Sequence, residues 1–253
     1  MITDLQKASL SKRIAAGILD AMLLAVLAVG LASALTWLLG YTNHSDALSQ
    51  GYSRYETQFG VDFSITQTDY QTMTTEEQAN FDAAYQALVS DDSVMYHYNM
   101  VLNLTILITT FSILLAVLIL EFIVPLLLKN GQTVGKKAFS LGLMRIDAVQ
   151  ITPVQLFART ILGKFTIETM ISVYILILIF FNSIGIVGPL VIGGILLTQM
   201  ICIIATRTNS LIHDLLAGTV VVDISSQKIF RTTQDLIDCK KRIAAEQAAR
   251  QDY

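Results

Sequence analysis

The sequence predicts an all-α membrane protein: four transmembrane helices with both termini cytoplasmic, a long partly helical extracellular loop, and small cytoplasmic β elements. Three observations carry this expectation. The 253 residues are 53% hydrophobic and only 15% charged, and mean hydropathy is positive. Four apolar runs reach, or nearly reach, the roughly 18–20 residues that cross a bilayer. The 17 Lys and Arg are unevenly placed: only Arg54 lies between Gly40 and Met100, among nine acids. The net charge of −3 hides this asymmetry. Because basic residues collect on the cytoplasmic side, the bias puts both termini and the 129–164 loop inside and the 40–99 loop outside, which an even number of spans satisfies.

After a short N-terminal segment (1–11), Lys12 and Arg13 open the first span, 12–39. Basic residues, an apolar run and Ala32-Ser33-Ala34 imitate a secretory signal, but the run continues past the roughly 7–15 residues of a signal core and contains Asp20. A retained helix is expected. In the acidic outer loop, Tyr52, Tyr55 and Phe59 fall at helical spacing, and Thr74 with Glu77 forms a capping-box pattern opening a helix to about Ser90. A loop this long carries function or packs over the membrane helices; its acids either gather cations or form a solvated face.

The second span, 100–128, leads into a basic loop, 129–164, holding Lys129, Lys136, Lys137, Arg145, Arg159 and Lys164. Within it Ser140 to Asp147 is a candidate strand. Thr152-Pro153 has the form of an N-cap and first helical residue ahead of "VQLFARTILGKF". The third span, 165–182, and the fourth, 184–206, are joined by a turn at Asn182-Ser183 with Gly185, Gly188 and Pro189. The alternative is one broken re-entrant segment, because the third apolar run is the shortest. In the tail, 207–253, Asn209 or Ser210 caps "LIHDLLAG", Gly218 stops it, Thr219 to Ile224 is a second candidate strand, and Gln234 to Arg250 is a polar helix.

The charges inside apolar runs need explanation. Arg13, Gly17 and Asp20 share one helix face, with Asp20 about 10 Å deeper than Arg13. Arg13 can snorkel to the interface, Gly17 is a notch for a helix or ligand, and Asp20 is too short to escape. Glu121 sits at about 12 Å depth in the second span. Pro125, four residues later, has no N–H for the carbonyl of Glu121, so that carbonyl is freed. With no basic residue expected at this depth, Asp20 and Glu121 are candidates for a proton or hard-cation pathway, against a structural role hydrogen-bonded to polar neighbours. Glu168, four residues after Lys164, is explained by a local ion pair. Asp214 is placed to meet Arg13 where the cytoplasmic helix ends converge, as a gate or a structural ion pair, and His213 beside it titrates in the range of a pH gate.

Other chemistry is excluded by spacing. "GQTVGKK" (131–137) has one residue too few between its glycines, Lys137 where a Ser or Thr should follow, and no preceding strand, so it is a basic turn-rich loop rather than a phosphate loop. Cys202 and Cys239 match neither a disulfide framework nor a zinc site, and His44, His97 and His213 are scattered. No enzyme, cofactor, metal site or nucleic-acid partner is expected.

Three pieces coincide: Arg13 with Asp20, "GQTVGKKAFSLGLMRI" with "ITPVQLFARTI", and "LIHDLLAGTVVV". Together they resemble the RDD family of bacterial membrane proteins, named for one arginine and two aspartates, matched here by Arg13, Asp20 and Asp214. The resemblance covers residues 12 to about 38 and 100 to 223 and leaves the outer loop aside; Glu121 is not part of the named triad. It implies a multi-pass protein of the bacterial plasma membrane and is compatible with transport, including cation/proton exchange. The expected function is therefore passage of a cation or small solute, proton-coupled through Asp20, in a homo-oligomer or beside another membrane protein. The alternative is a non-transporting scaffold or assembly factor that holds a protein partner.

Overall fold

The computed structural model describes residues 8–128, 130–180 and 183–251. Lys7 and Lys129, counted in the charge bias, and Asn182, expected in the turn, lie outside them. The helices are α1 (Leu10–Leu38), α2 (Tyr41–Phe59), α3 (Gln67–Thr72), α4 (Thr75–Val89), α5 (Asp92–Leu127), α6 (Val134–Ala138), α7 (Pro153–Phe180), α8 (Val187–Ala205), α9 (Ile212–Ala217) and α10 (Thr233–Gln251); the strands are β1 (Leu141–Arg145) and β2 (Thr219–Asp223). Four of the helices, α1, α5, α7 and α8, are long and apolar enough to cross a membrane. Most of their surface is exposed aliphatic side chain, as on Ile14, Ile18, Met22, Leu196 and Ile204, which suits helices solvated by lipid rather than by water.

The chain divides into two compact units, Met1–Ala28 with Ile113–Tyr253, and Val29–Ser112. In the first, β1 and β2 pair antiparallel, Leu141 opposite Asp223 and Arg145 opposite Thr219. Strand alternation sends Leu141, Leu143 and Val221 to one face, against Ala8, Ala16 and Leu156. Met144, Val220 and Val222 go to the other, against Val149, Phe230 and Leu236. This ribbon is apolar on both faces because membrane-helix ends cover one and the tail covers the other. The tail helix α10 is thus docked through Leu236 and Cys239.

Local chemistry explains the helix ends and irregularities. Thr152 caps α7 through a capping box with Gln155, with Pro153 in the first turn. Gly218, in the left-handed region at φ 61°, ends α9, whose N-cap is Leu211 rather than Asn209 or Ser210. A π-helical turn spans Leu118–Ile123 in α5. It lies just ahead of Pro125, whose missing N–H leaves the Glu121 carbonyl to accept from the Thr160 hydroxyl at 3.0 Å. The third membrane helix begins at Pro153, twelve residues before the expected start at 165. Its early part holds Arg159 and Lys164, which break an apolar count, yet their heads are turned into ion pairs and the helix runs on, π-wound over Ala158–Met170.

The second unit holds the last part of α1, then α2, α3, α4 and the first part of α5. Thr74 and Glu77 form the expected capping box, and Thr66 with Asp69 forms another. Phe63 stacks edge-on with Tyr52 and Phe81. Arg54 pairs with Asp91, which also accepts from the Tyr55 hydroxyl at 3.0 Å.

Candidate functional site

The buried charges of the first unit gather from α1, α5, α6, α7 and α9. Asp214 is the most enclosed. Its carboxylate accepts from Arg13 at 3.2 Å and from Arg159 Nε at 2.9 Å, and its side chain is fully buried. Arg13 also donates to the Thr208 carbonyl at 3.0 Å, which fixes the guanidinium between two chain segments. The expected Arg13–Asp214 partnership is therefore present, but as one arm of a fork whose second arm, Arg159, sequence reasoning left in the loop. Burial by itself would raise the Asp214 carboxyl; the fields of Arg159, His213 and Arg13 outweigh it and hold the group below the usual carboxylate range.

His213 is buried between Arg159 and Glu168. Its Nδ1 lies 2.8 Å from a Glu168 oxygen and its Nε2 lies 2.8 Å from Arg159. Arg159 can only donate and the carboxylate can only accept, so the partners assign a neutral ring with the proton on Nδ1. Protonation would set an N–H against the guanidinium. Burial first and Arg159 second push the imidazole below its ordinary value of 6.5. Glu168, expected to pair with Lys164, instead accepts from His213 Nδ1 and from the His213 backbone N–H at 3.1 Å. Since the unfolded chain binds this proton near pH 6.5 and the folded chain only below that, stability is expected to fall as pH drops below about 6.5. Thermal melts of the purified protein between pH 7.5 and 5.5 check this; a flat profile, or a slope unchanged in His213→Gln, contradicts it.

Asp20 answers to "GQTVGKK". Its carboxylate accepts from the Thr133 hydroxyl at 2.5 Å and from the Gly135 backbone N–H at 2.7 Å. Thr133 is the N-cap of α6, accepting from Lys136 N, so the aspartate binds the first turn of a short helix where free N–H groups point. Gly135 makes the approach possible: a Cβ there would stand 2.3 Å from the Ala16 carbonyl oxygen and 2.8 Å from Asp20 Cγ. Gly163 plays the same part on α7, where a Cβ would meet His213 Cβ at 2.6 Å. A Cβ on Gly17, the expected notch, meets nothing within 4 Å.

Glu121 differs from expectation. Lys164, lying inside α7 rather than before it, pairs directly with Glu121 Oε1, while Glu121 Oε2 is buried with no hydrogen-bond partner among the described residues. The basic partner that the sequence did not offer thus exists for Glu121, whereas Asp20 is held by neutral donors. Among the described residues no group of three or more His, Cys, Asp and Glu side chains could hold a metal ion.

These groups surround a cavity of about 410 Å³, lined by Arg13, Asp20, Lys136, Arg159, Glu168 and Asp214 among others, with Gly17 in its wall. Its apolar side comes from α1 (Leu10, Ile14, Leu24) and from Ile203 of α8. The family model described as RDD family matches residues 7–218. Comparison with curated proteins returns no match, and comparison with solved structures returns none either.

Proposed function

The chain belongs to the RDD family and carries four helices long and apolar enough to cross a bilayer; from that premise we propose that it moves a cation or small solute across the bacterial plasma membrane. The observation that carries this reading is the cavity itself, a space of about 410 Å³ walled by membrane helices and by ionised side chains of both signs. Charges this deep are expensive in a purely structural role. With the termini and the 129–164 loop cytoplasmic, as the distribution of Lys and Arg favours, the cavity faces the cytoplasm and the Arg13–Asp214 pair gates it. Proton coupling enters at Asp20. Protonating that carboxyl weakens the pair of acceptor oxygens that take Thr133 and Gly135, which loosens α6 from α1 and changes the inner wall. Four helices enclose little space, so a second copy or another membrane protein completes the passage, and no catalytic step is assigned.

Flux into liposomes reconstituted with purified protein under sodium, potassium and proton gradients tests the proposal. Flux is expected, and Asp20→Asn is expected to reduce it at least tenfold while the protein still elutes as a folded species. Absence of flux under all three gradients, with a protein partner recovered by crosslinking, replaces transport with the scaffold reading.

A further inference from the structure

Each acid lining the cavity is answered from within. Asp20 accepts from Thr133 and Gly135, Asp214 from Arg13 and Arg159, and Glu168 from His213. Three of the four lining cations are answered too: Arg13 and Arg159 share Asp214, and Lys164 pairs with Glu121. Lys136 is the exception. The residue is only 9% exposed, and its Nζ donates to the Thr133 hydroxyl at 3.3 Å. Among the described residues no ion pair joins it to a carboxylate. An ammonium has three donors, and one of those on Lys136 is taken by Thr133, with the carboxylates of Asp20 and Glu121 facing it from beyond ion-pair distance. Asp20 and Glu168 carry charge as well, but their oxygens already hold donors, whereas the Lys136 ammonium keeps donors free for the oxygens of an entering solute.

The rest of the wall constrains the solute's body. Leu10, Ile14, Ala21 and Leu24 of α1 and Ile203 of α8 line the cavity, so a fully hydrated inorganic ion would face hydrocarbon on that side. The volume lies within the range of about 300–1,000 Å³ usual for small-molecule sites. We propose that the cavity binds a monoanionic amphiphile, a carboxylate, sulfonate or phosphodiester head on a short apolar chain, with Lys136 holding the head and α1 and α8 contacting the chain. This takes the small-solute branch of the transport reading rather than the cation branch and rests on it for its biological sense, yet it is a statement about equilibrium binding. The head group could come from a soluble anion or from an anionic lipid, and the chemistry at Lys136 is the same.

The probe is hexanesulfonate, whose charge does not titrate, measured by calorimetry on the purified full-length chain in an uncharged detergent. Hexanesulfonate is expected to bind, with methanesulfonate weaker and hexyltrimethylammonium absent. Lys136→Gln is expected to raise Kd at least tenfold. The groups facing Lys136 are Arg159, Glu121, Lys164 and Asp20; burial, then Arg159, lowers its ammonium to about 8. Wild-type affinity should consequently fall about tenfold per pH unit above 8 and stay flat to pH 9 in Lys136→Arg. That profile keeps the test decisive should Lys136→Gln fail to fold. Phosphatidylglycerol that co-purifies with the wild type in native mass spectrometry and displaces hexanesulfonate identifies the lipid source; no displacement identifies a soluble anion. Binding of neither, or binding indifferent to Lys136 and to pH, overturns the proposal. Flux without such binding would remove this site and leave transport standing; binding without flux would do the reverse.

Discussion

Asp214→Asn is expected to destabilise the protein by about 3–5 kcal/mol, the range for removing one partner of a buried ion pair. The substitution is nearly isosteric, so the loss is electrostatic. Arg13 and Arg159 would remain in place with their shared counter-ion gone, and two buried guanidiniums would face each other across a neutral amide. The pH dependence separates this from a packing defect. An unfolded aspartate binds its proton near pH 3.9, whereas Asp214 in the folded chain is held below the usual range, so the unfolded state binds more protons in acid. Its stabilisation is thus present in full above about pH 4 and is lost as pH falls further. The gap in melting temperature between wild type and Asp214→Asn should be widest near neutrality and narrow in acid; a gap that does not change with pH would mean that charge is not what Asp214 supplies. The exchange of Arg13→Asp with Asp214→Arg, natural for a simple pair, is expected to fail as a rescue. It would put a second guanidinium against Arg159, which is fixed by His213 as well as by residue 214.

What could be read from the sequence follows the range of the interactions involved. Thr74 with Glu77, Thr152 with Pro153, and Gly218 are local signals completed within four residues, and the structure contains each as a cap. The two strands were visible through alternation, although their pairing across more than 70 residues was not. The freed carbonyl of Glu121 was legible from Pro125, but its acceptance of the Thr160 hydroxyl was not. Charge partners were the least visible, because hydropathy counts Arg159 and Lys164 as interruptions of a span, while burial with Asp214 and Glu121 makes them part of it. A usable signal did exist. Arg159 and Gly163 lie four residues apart on one helical face, and there the glycine does mark close approach, whereas the same spacing of Arg13 and Gly17 does not. Likewise Thr133 with Gly135 marks an N-cap beside a residue without a Cβ, and only the fold shows that Asp20 is what approaches it.

Gly135→Ala is expected to be as damaging as loss of a charge, for a different reason. The added methyl would lie 2.3 Å from the Ala16 carbonyl oxygen, a backbone atom of α1 that no side-chain rotation can move away. Relief requires α6 and α1 to separate, which lengthens the 2.7 Å bond from Gly135 N to Asp20 and disturbs the 2.5 Å bond from Thr133. A cost of about 3 kcal/mol or more is expected, at or above the top of the usual range for overpacking. Gly17→Ala supplies the contrast at the residue after Ala16 on α1. It meets nothing within 4 Å and replaces a helical glycine, so stability should stay level or rise by up to about 1 kcal/mol. Melting both variants in the same detergent reads the comparison directly. If Gly135→Ala melts with the wild type, the α6 turn does not rest on α1 and Asp20 lacks the partners described for it. If it melts early and Gly17→Ala does not, the α6 turn rests on α1 at Ala16 and Asp20, and the contact is set by one missing methyl group.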